Sequence, residues 1–381
     1  MKLKQLAVAL ALPFVMNFFA GNAMAETRHN GIRQLTPYLY MMTYTDYDYN
    51  DYLAVRGQNR AKEPFGCSVV HNGQFVGRNF DYLFNETPEY LVHVPRAENR
   101  LASIGIGYLF TEKPFQRLDN RAFVALPWSM LDGINEKGVS VCVNFCPAKD
   151  LVFHIAEGGT QLNKEDLDLS TVVRYVLDNA TSARNALELL EKKNIVNDLG
   201  ENSMLKDTGF GMHFMIADRK SHYIVEFIGN HMYYTKDDAV MTNFYNTMLP
   251  KYTPHAMGVE RYDVLKSHYK WGKASMDGMT RLMKLALFTE AYNNCAFPLR
   301  FSDVGTGYDD ELEVDVTNEM IAADPKLQAH IVSYMESVRV ERNQPNVWHT
   351  VSTSVYDLDN LIMRLYTQDD YNNYFEFTLA R

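Results

Sequence analysis

Layers of antiparallel sheet covered by helices, an α+β fold, are what this chain predicts, and three observations carry the prediction. Asn72-Gly73 lies between two short apolar-rich runs, and a type I′ turn wants two residues that tolerate positive φ, so a hairpin is expected over residues 66–81. Residues 212–217 and 223–228 alternate as strands on either side of the Asp218-Arg219-Lys220-Ser221 turn. Strand patterning returns over residues 348–379, while helical periodicity is confined to the middle and late regions.

Taken in order, the chain opens with a secretory signal over residues 1–25: Lys2 and Lys4, an apolar run, and the small-x-small site Ala23-Met24-Ala25. That run is too short to be a spanning helix, and no later stretch approaches one, so an exported protein, periplasmic or secreted and without stable membrane insertion, is expected. Residues 26–66 are crowded with tyrosine and aspartate and read as an aromatic helix or flap lying on the main body. The aspartates lack the glycine and closing glutamate of a calcium-binding loop.

The hairpin follows. Counting outward from Asn72-Gly73 pairs His71 with Gln74 and Cys67 with Arg78. Directly opposed residues share a face, so a guanidinium beside a thiol is expected, and a nearby cation lowers a cysteine pKa. A lone Cys–Arg pair is more often a small buried residue opposite a surface charge. The rest of the pattern singles this one out.

Residues 101–110 read as a strand. A turn over residues 131–138 leads into a strand at 139–145, which places Asn144 on the face of Cys142 and Cys146. Helices are expected from Asp168 through Asn179 and from 182 to 193, the latter closed by Asn194 in a left-handed conformation. A Gly229-Asn230 turn enters a strand at 231–235, and a further strand ends at Asn243. Helices are expected at 259–269 and 279–292, and a turn at Asp357-Leu358-Asp359-Asn360 divides the last strands.

Without the signal the chain holds 356 residues. The signal carries two of the 37 basic residues and no acid, which leaves 35 basic against 47 acidic and a net charge of −12. That balance argues against nucleic acid or an anionic membrane surface as partner. Hydrophobic residues at 46% can bury a large core, and no linker or repeat divides the chain. Cys142 and Cys146 read as buried thiols of a strand. If Cys67 is reactive, three cysteines remain with Cys295, so not all can pair within the chain.

Lined up, these residues resemble the choloylglycine hydrolase group of N-terminal nucleophile hydrolases, which includes bile salt hydrolases and penicillin V acylases. Acid ceramidase-like amidases and acyl-CoA:isopenicillin N acyltransferases are related. The resemblance rests on Gly66-Cys67 with a hairpin ending Gly77-Arg78-Asn79-Phe80-Asp81, on Asp132-Gly133-Ile134-Asn135-Glu136-Lys137-Gly138 with Val143-Asn144-Phe145, on Val240-Met241-Thr242-Asn243, on Glu260-Arg261-Tyr262, and on Val355-Tyr356-Asp357.

It implies a four-layer αββα sandwich and a chain cut between Gly66 and Cys67. The new Cys67 α-amine, with a reference pKa of about 7.7–8.0, would then accept the thiol proton. It further implies Arg78 as thiolate stabiliser, Asp81 as partner of the Cys67 amine, Asn144 and Asn243 as oxyanion donors, and Arg261 as organiser of the site. Strict alternation puts Asp81 on the face opposite Arg78, so a bulge at Asn79–Phe80 is expected. No metal or organic cofactor is implied.

The 41-residue segment at 26–66 has no counterpart in relatives that trim a short leader and is more similar to the self-cleaving branches. The expected organisation is a signal (1–25), a pro-segment or small subunit (26–66) and a catalytic domain (67–381). Expected partners are a small amide substrate with an apolar acyl part, the chain's own cleaved segment, and further copies of itself. Two alternatives stay open: an acyltransferase that hands the acyl group to an amine, and an exported binding protein with an inert Cys67.

Overall fold

The computed structural model describes residues 28–55, 66–82, 88–109, 122–147, 163–196, 210–228, 231–248, 258–287, 349–368 and 370–379. The signal, the Gly229-Asn230 turn, Cys295 and the end of the last predicted helix lie outside them.

Two sheets face one another. The larger runs β1 (Arg28–His29), β3 (Leu39–Asp46), β6 (Glu89–Val94), β7 (Ser103–Gly107), β8 (Met130–Asn135), β9 (Ser140–Pro147), β12 (Phe210–Ala217), β13 (His222–Ile228) and β14 (His231–Thr235), with β2 (Arg33–Gln34) paired to β3. Only the β3–β6 pair in it is parallel. The smaller sheet runs β15 (Val240–Met241), β4 (Gly66–Asn72), β5 (Phe75–Tyr82), β16 (His349–Asp357), β17 (Ile362–Thr367) and β18 (Phe375–Thr378). β10 (Glu165–Asp168) and β11 (Lys193–Val196) form a separate parallel pair.

Helices cover both outer faces. α3 (Val172–Asn179) and α4 (Ala183–Leu190) cover the larger sheet; α5 (Val259–Ser267) and α6 (Met276–Leu285) cover the smaller. Short α1 (Tyr49–Val55) and α2 (Ala122–Ala125) sit beside the larger sheet. The fold is therefore α+β in four layers, αββα. Ser182 and Ser275 start α4 and α6 by accepting from the backbone N–H groups of Asn185 and Gly278, which satisfies donors a helix start leaves orphaned. Between sheet and helix there is little room: a Cβ on Gly77 would come within 2.6 Å of Met283 Cγ.

Five expectations are corrected. The hairpin turn is Gly73-Gln74, with Gly73 alone at positive φ (+67°), while Asn72 stays in β4 opposite Phe75 and donates through its side chain to Tyr269 O. A single glycine at the first central position is enough for a II′-type turn. Cys67 consequently opposes Phe80, and Arg78 opposes Val69. Because the pairing moves by two residues, every side chain keeps its face.

The expected bulge at Asn79–Phe80 is absent, since β4 and β5 pair without a break; the irregularity sits in β16, between Thr350 and Ser352. Asn194 does not cap a helix but lies in β11, its amide bonded to Lys164 O and Asp166. Asp132 and Asn135 belong to strand β8 and not to the turn, which is confined to residues 136–138, with Gly138 at φ +74°.

Residues 28–55 are no flap. β3 lies inside the larger sheet, and Leu39, Met42 and Tyr44 are buried in the main core. The tyrosines fasten the segment to the layer around α3: Tyr47 OH donates to Asp178, Tyr52 OH bonds to Ser170 Oγ, and the Asp168 N–H donates to Tyr49 OH.

A histidine pair bridges the two sheets. His71 Nε2 faces the carbonyl oxygens of Gly73 (2.9 Å) and Asp218 (3.1 Å), so it carries the proton, and Nδ1 accepts from His222 Nδ1 at 2.9 Å. Burial, reinforced by His222, pushes His71 down to about 4. An unfolded chain binds a proton there below about 6.5 that the folded one excludes, so stability falls as pH drops from about 6.5 to about 4. The single group contributes up to on the order of 3 kcal/mol. Urea midpoints across that window should fall less steeply for His71→Gln than for wild type.

Candidate active site

Cys67 lies at the middle of the molecule, and each of its polar atoms meets a buried partner. Alternation along β4 points its side chain between the sheets, where Arg78 Nη2 donates to Sγ at 3.0 Å. Its backbone N–H donates to Asn243 Oδ1 at 3.0 Å, and its carbonyl oxygen accepts from Arg261 Nη1. Cys67, Arg78, Asp81, Asn144, Asn243 and Arg261 all have near-zero exposure, so these contacts form in a water-free setting.

Arg78 reaches the thiol diagonally from the next pair along the hairpin and is not alone with it. Its Nη1 donates to Asp132 Oδ2 at 3.2 Å, its Nη2 also donates to Val143 O at 3.1 Å, and the guanidinium lies 5.4 Å from the Phe80 ring centre. Asp132 also accepts from Tyr356 OH, Ser354 Oγ and the Ile106 N–H. The arginine at the thiol is thus half-neutralised, and burial decides the outcome. Desolvation pushes Cys67 up to about 12 against the opposing pull of Arg78, so the thiol keeps its proton in the intact chain. Arg78 lowers this pKa as expected, but in the intact chain burial outweighs it.

Asp81 stays on the outer face of the smaller sheet, where it accepts from Thr350 Oγ1 (2.6 Å) and from Arg261 Nη1 (3.3 Å). Burial nevertheless raises both Asp81 and Asp132, the arginines opposing it. Arg261 enters from the first turn of α5, after Gly258 at φ +80°, and joins Asp81, Ser68 Oγ, the Cys67 carbonyl and Asn243 Oδ1 (2.7 Å). Asn243 holds the far side: Oδ1 takes Cys67 N–H and Arg261, and Nδ2 donates to Phe145 O at 2.7 Å.

Asn144 differs from expectation. Its Nδ2 donates to Met241 O (3.2 Å) and Thr242 O (2.9 Å), so both amide hydrogens serve the strand that leads to Asn243. All six predicted residues converge. The reading missed Asp132 as a side chain of the site, Tyr356 and Ser354 as its holders, and His213 and Glu226 behind Asn144. The signal was there in part: a histidine and a glutamate interrupt the strand patterns Gly-Met-His-Phe-Met-Ile-Ala and His-Tyr-Ile-Val-Glu-Phe-Ile. Cys142 and Cys146 are free, buried thiols of β9.

Two facing sheets between helix layers thus enclose a buried cluster of a cysteine, arginines, carboxylates and asparagines where the sheets meet. The family model for linear amide C–N hydrolases of the choloylglycine hydrolase family matches residues 70–370, and the chain belongs to that family: it is a hydrolase of carbon–nitrogen bonds in linear amides. Among solved structures, two variants of conjugated bile acid hydrolase from Clostridium perfringens are similar at 16% identity, with TM-scores of 0.45 and 0.43, covering 82% of this chain and 92% of theirs. Penicillin V acylase from Agrobacterium tumefaciens is similar at 15% identity and a TM-score of 0.37, covering 82% of this chain and 86% of that one. Among curated proteins none matches the chain.

Removing Arg78 should strand a buried carboxylate. Arg78→Met is expected to cost about 3–5 kcal/mol of stability. Adding Asp132→Asn should restore most of it, and chemical denaturation of the single and double variants measures the difference.

Proposed function

We propose that the protein is an exported cysteine N-terminal nucleophile amidohydrolase, processed by its own Cys67 between Gly66 and Cys67. The observation that carries the reading is that the nitrogen, sulfur and carbonyl oxygen of Cys67 are each held by a different buried side chain, Asn243, Arg78 and Arg261. A structural cysteine needs none of these.

Processing moves the Gly66 acyl group from the Cys67 nitrogen to its sulfur, and water hydrolyses the thioester. A Gly66 carboxylate and a free Cys67 amine remain. That amine titrates near neutral pH and takes the thiol proton, which supplies the base the buried thiol lacks in the intact chain. In turnover the thiolate adds to the amide carbonyl. The oxyanion is stabilised by donors that include the Asn243 amide, the protonated amine leaves, and water cleaves the thioester to a carboxylic acid and the regenerated thiol. Arg78 balances the thiolate, while Arg261 and Asp81 hold the strand around Cys67.

The acyl part is apolar. Phe80 directly opposes Cys67, and its ring packs with those of Tyr82 (5.9 Å) and Tyr108 (5.2 Å) in one aromatic cluster beside the nucleophile. Conjugated bile salts are the leading substrate class, ahead of N-acyl amino acids, fatty acyl amides and phenoxyacetyl penicillins. Residues 26–66 remain bound after cleavage, because β3 is an inner strand of the larger sheet whose withdrawal would open the core.

Intact mass under denaturing conditions tests processing: wild type should yield a chain beginning at Cys67 and a separate upstream piece, and Cys67→Ala a single uncut chain. The two wild-type pieces should co-elute in native gel filtration. A wild type that stays uncut would leave an inert thiol and favour a binding protein. For hydrolysis, a panel of glycine-conjugated cholate, an N-acyl amino acid, a fatty acyl amide and penicillin V should show turnover, lost in Cys67→Ala and reduced about a hundredfold or more in Asn243→Ala.

A further inference from the structure

We infer that His213 and Glu226 are positioning residues for Asn243, which rests on the amidase reading above. Asn144, His213 and Glu226 stand in register on the adjacent strands β9, β12 and β13 and form one fully buried polar row across the larger sheet. The row grips the loop that carries Asn243 from both sides.

Ahead of Asn243, His213 Nε2 lies 2.8 Å from Thr242 O; a carbonyl only accepts, so that nitrogen carries the proton. Asn144 donates to the same oxygen and to Met241 O. Beyond Asn243, the Glu226 carboxylate accepts the N–H of Asn246 on Oε1 (2.5 Å) and the N–H of Thr247 on Oε2 (3.1 Å), together with the Thr247 hydroxyl. Glu226 Oε1 and His213 Nδ1 are 3.5 Å apart and complete the row.

Neither residue contacts Cys67 among the described hydrogen bonds. Their effect reaches the chemistry through the backbone at 242 and 246, which sets where the Asn243 amide points. An amide held at Oδ1 by Cys67 N–H and Arg261 presents Nδ2 in one direction only while this loop stays in place. Displacing an oxyanion donor by about 1 Å costs on the order of a hundredfold in rate.

The test uses the processed full chain with the amide hydrolysed fastest in the panel. His213→Leu and Glu226→Ala should lower kcat by about 10–100-fold with KM within about threefold, and Glu226→Gln, which keeps an acceptor for one N–H, should recover much of the loss. In parallel, Cys67 is alkylated with iodoacetamide. That reaction joins sulfur to a saturated carbon and expels iodide without forming an oxyanion, so its rate should stay within about twofold of wild type.

His213→Asn, too short to reach Thr242 O but still polar, serves in place of a leucine variant that does not fold and should show the same split. An unchanged kcat in both His213 and Glu226 variants overturns the inference. So does an alkylation rate that falls together with kcat, which would mark general damage. A wild type that turns over nothing in the panel overturns the amidase reading, and this assignment with it.

Discussion

The Arg78 guanidinium is a full charge sealed between two sheets, and the centre of the molecule is arranged around keeping it there. A buried cation is tolerated only when paired and hydrogen-bonded. Asp132 from the larger sheet supplies the pair, Val143 O an acceptor, and the Phe80 ring a nearby face. Asp132 in turn needs Tyr356, Ser354 and the Ile106 N–H. Tyr356 and Ser354 come from β16 and Ile106 from β7, so one ion pair ties together β5, β7, β8 and β16. The sulfur of Cys67 is a further acceptor on this guanidinium, which makes the proposed nucleophile a member of the structural network.

The same network explains why an arginine 3.0 Å away does not by itself activate the thiol. Desolvation penalises a thiolate more than Arg78 attracts it, and the Asp81 carboxylate adds to the penalty. The proposed cleavage at Gly66–Cys67 would change that balance by adding an amine at the sulfur's own residue. Activation would then depend on that processing, and the thiol would stay protonated until the chain is cut.

Holding the upstream segment follows from sheet physics. β3 pairs with β6 in parallel and buries Leu39 and Tyr44 completely. Its removal would expose a row of unpaired backbone groups and part of the main core. The proposed cut at Gly66–Cys67 would therefore separate two pieces that the sheet still holds, with the Tyr47, Tyr49 and Tyr52 contacts reinforcing the junction.

Much of this was legible locally. Alternation gave the strand faces, and alternation is why Cys67 and Arg78 share a face even though the turn sits one residue later than Asn72-Gly73 implied. Helical patterning marked α4 and α5, and the ordered motifs named the six residues that meet around Cys67. What the sequence could not supply were effects that act between strands far apart in the chain. The thiol pKa depends on burial by two sheets and on the charges of Arg78, Asp81 and Arg261, the last 194 positions downstream of Cys67. The role of Asn144 depends on carbonyls nearly a hundred residues away, and the Asn144–His213–Glu226 row exists only through the register of β9, β12 and β13. By itself the sequence determined which face each strand residue takes, because that follows from a two-residue period. Only the tertiary structure decided which groups are charged, held or buried together, because desolvation and hydrogen bonding are set by neighbours that the local chain does not contain.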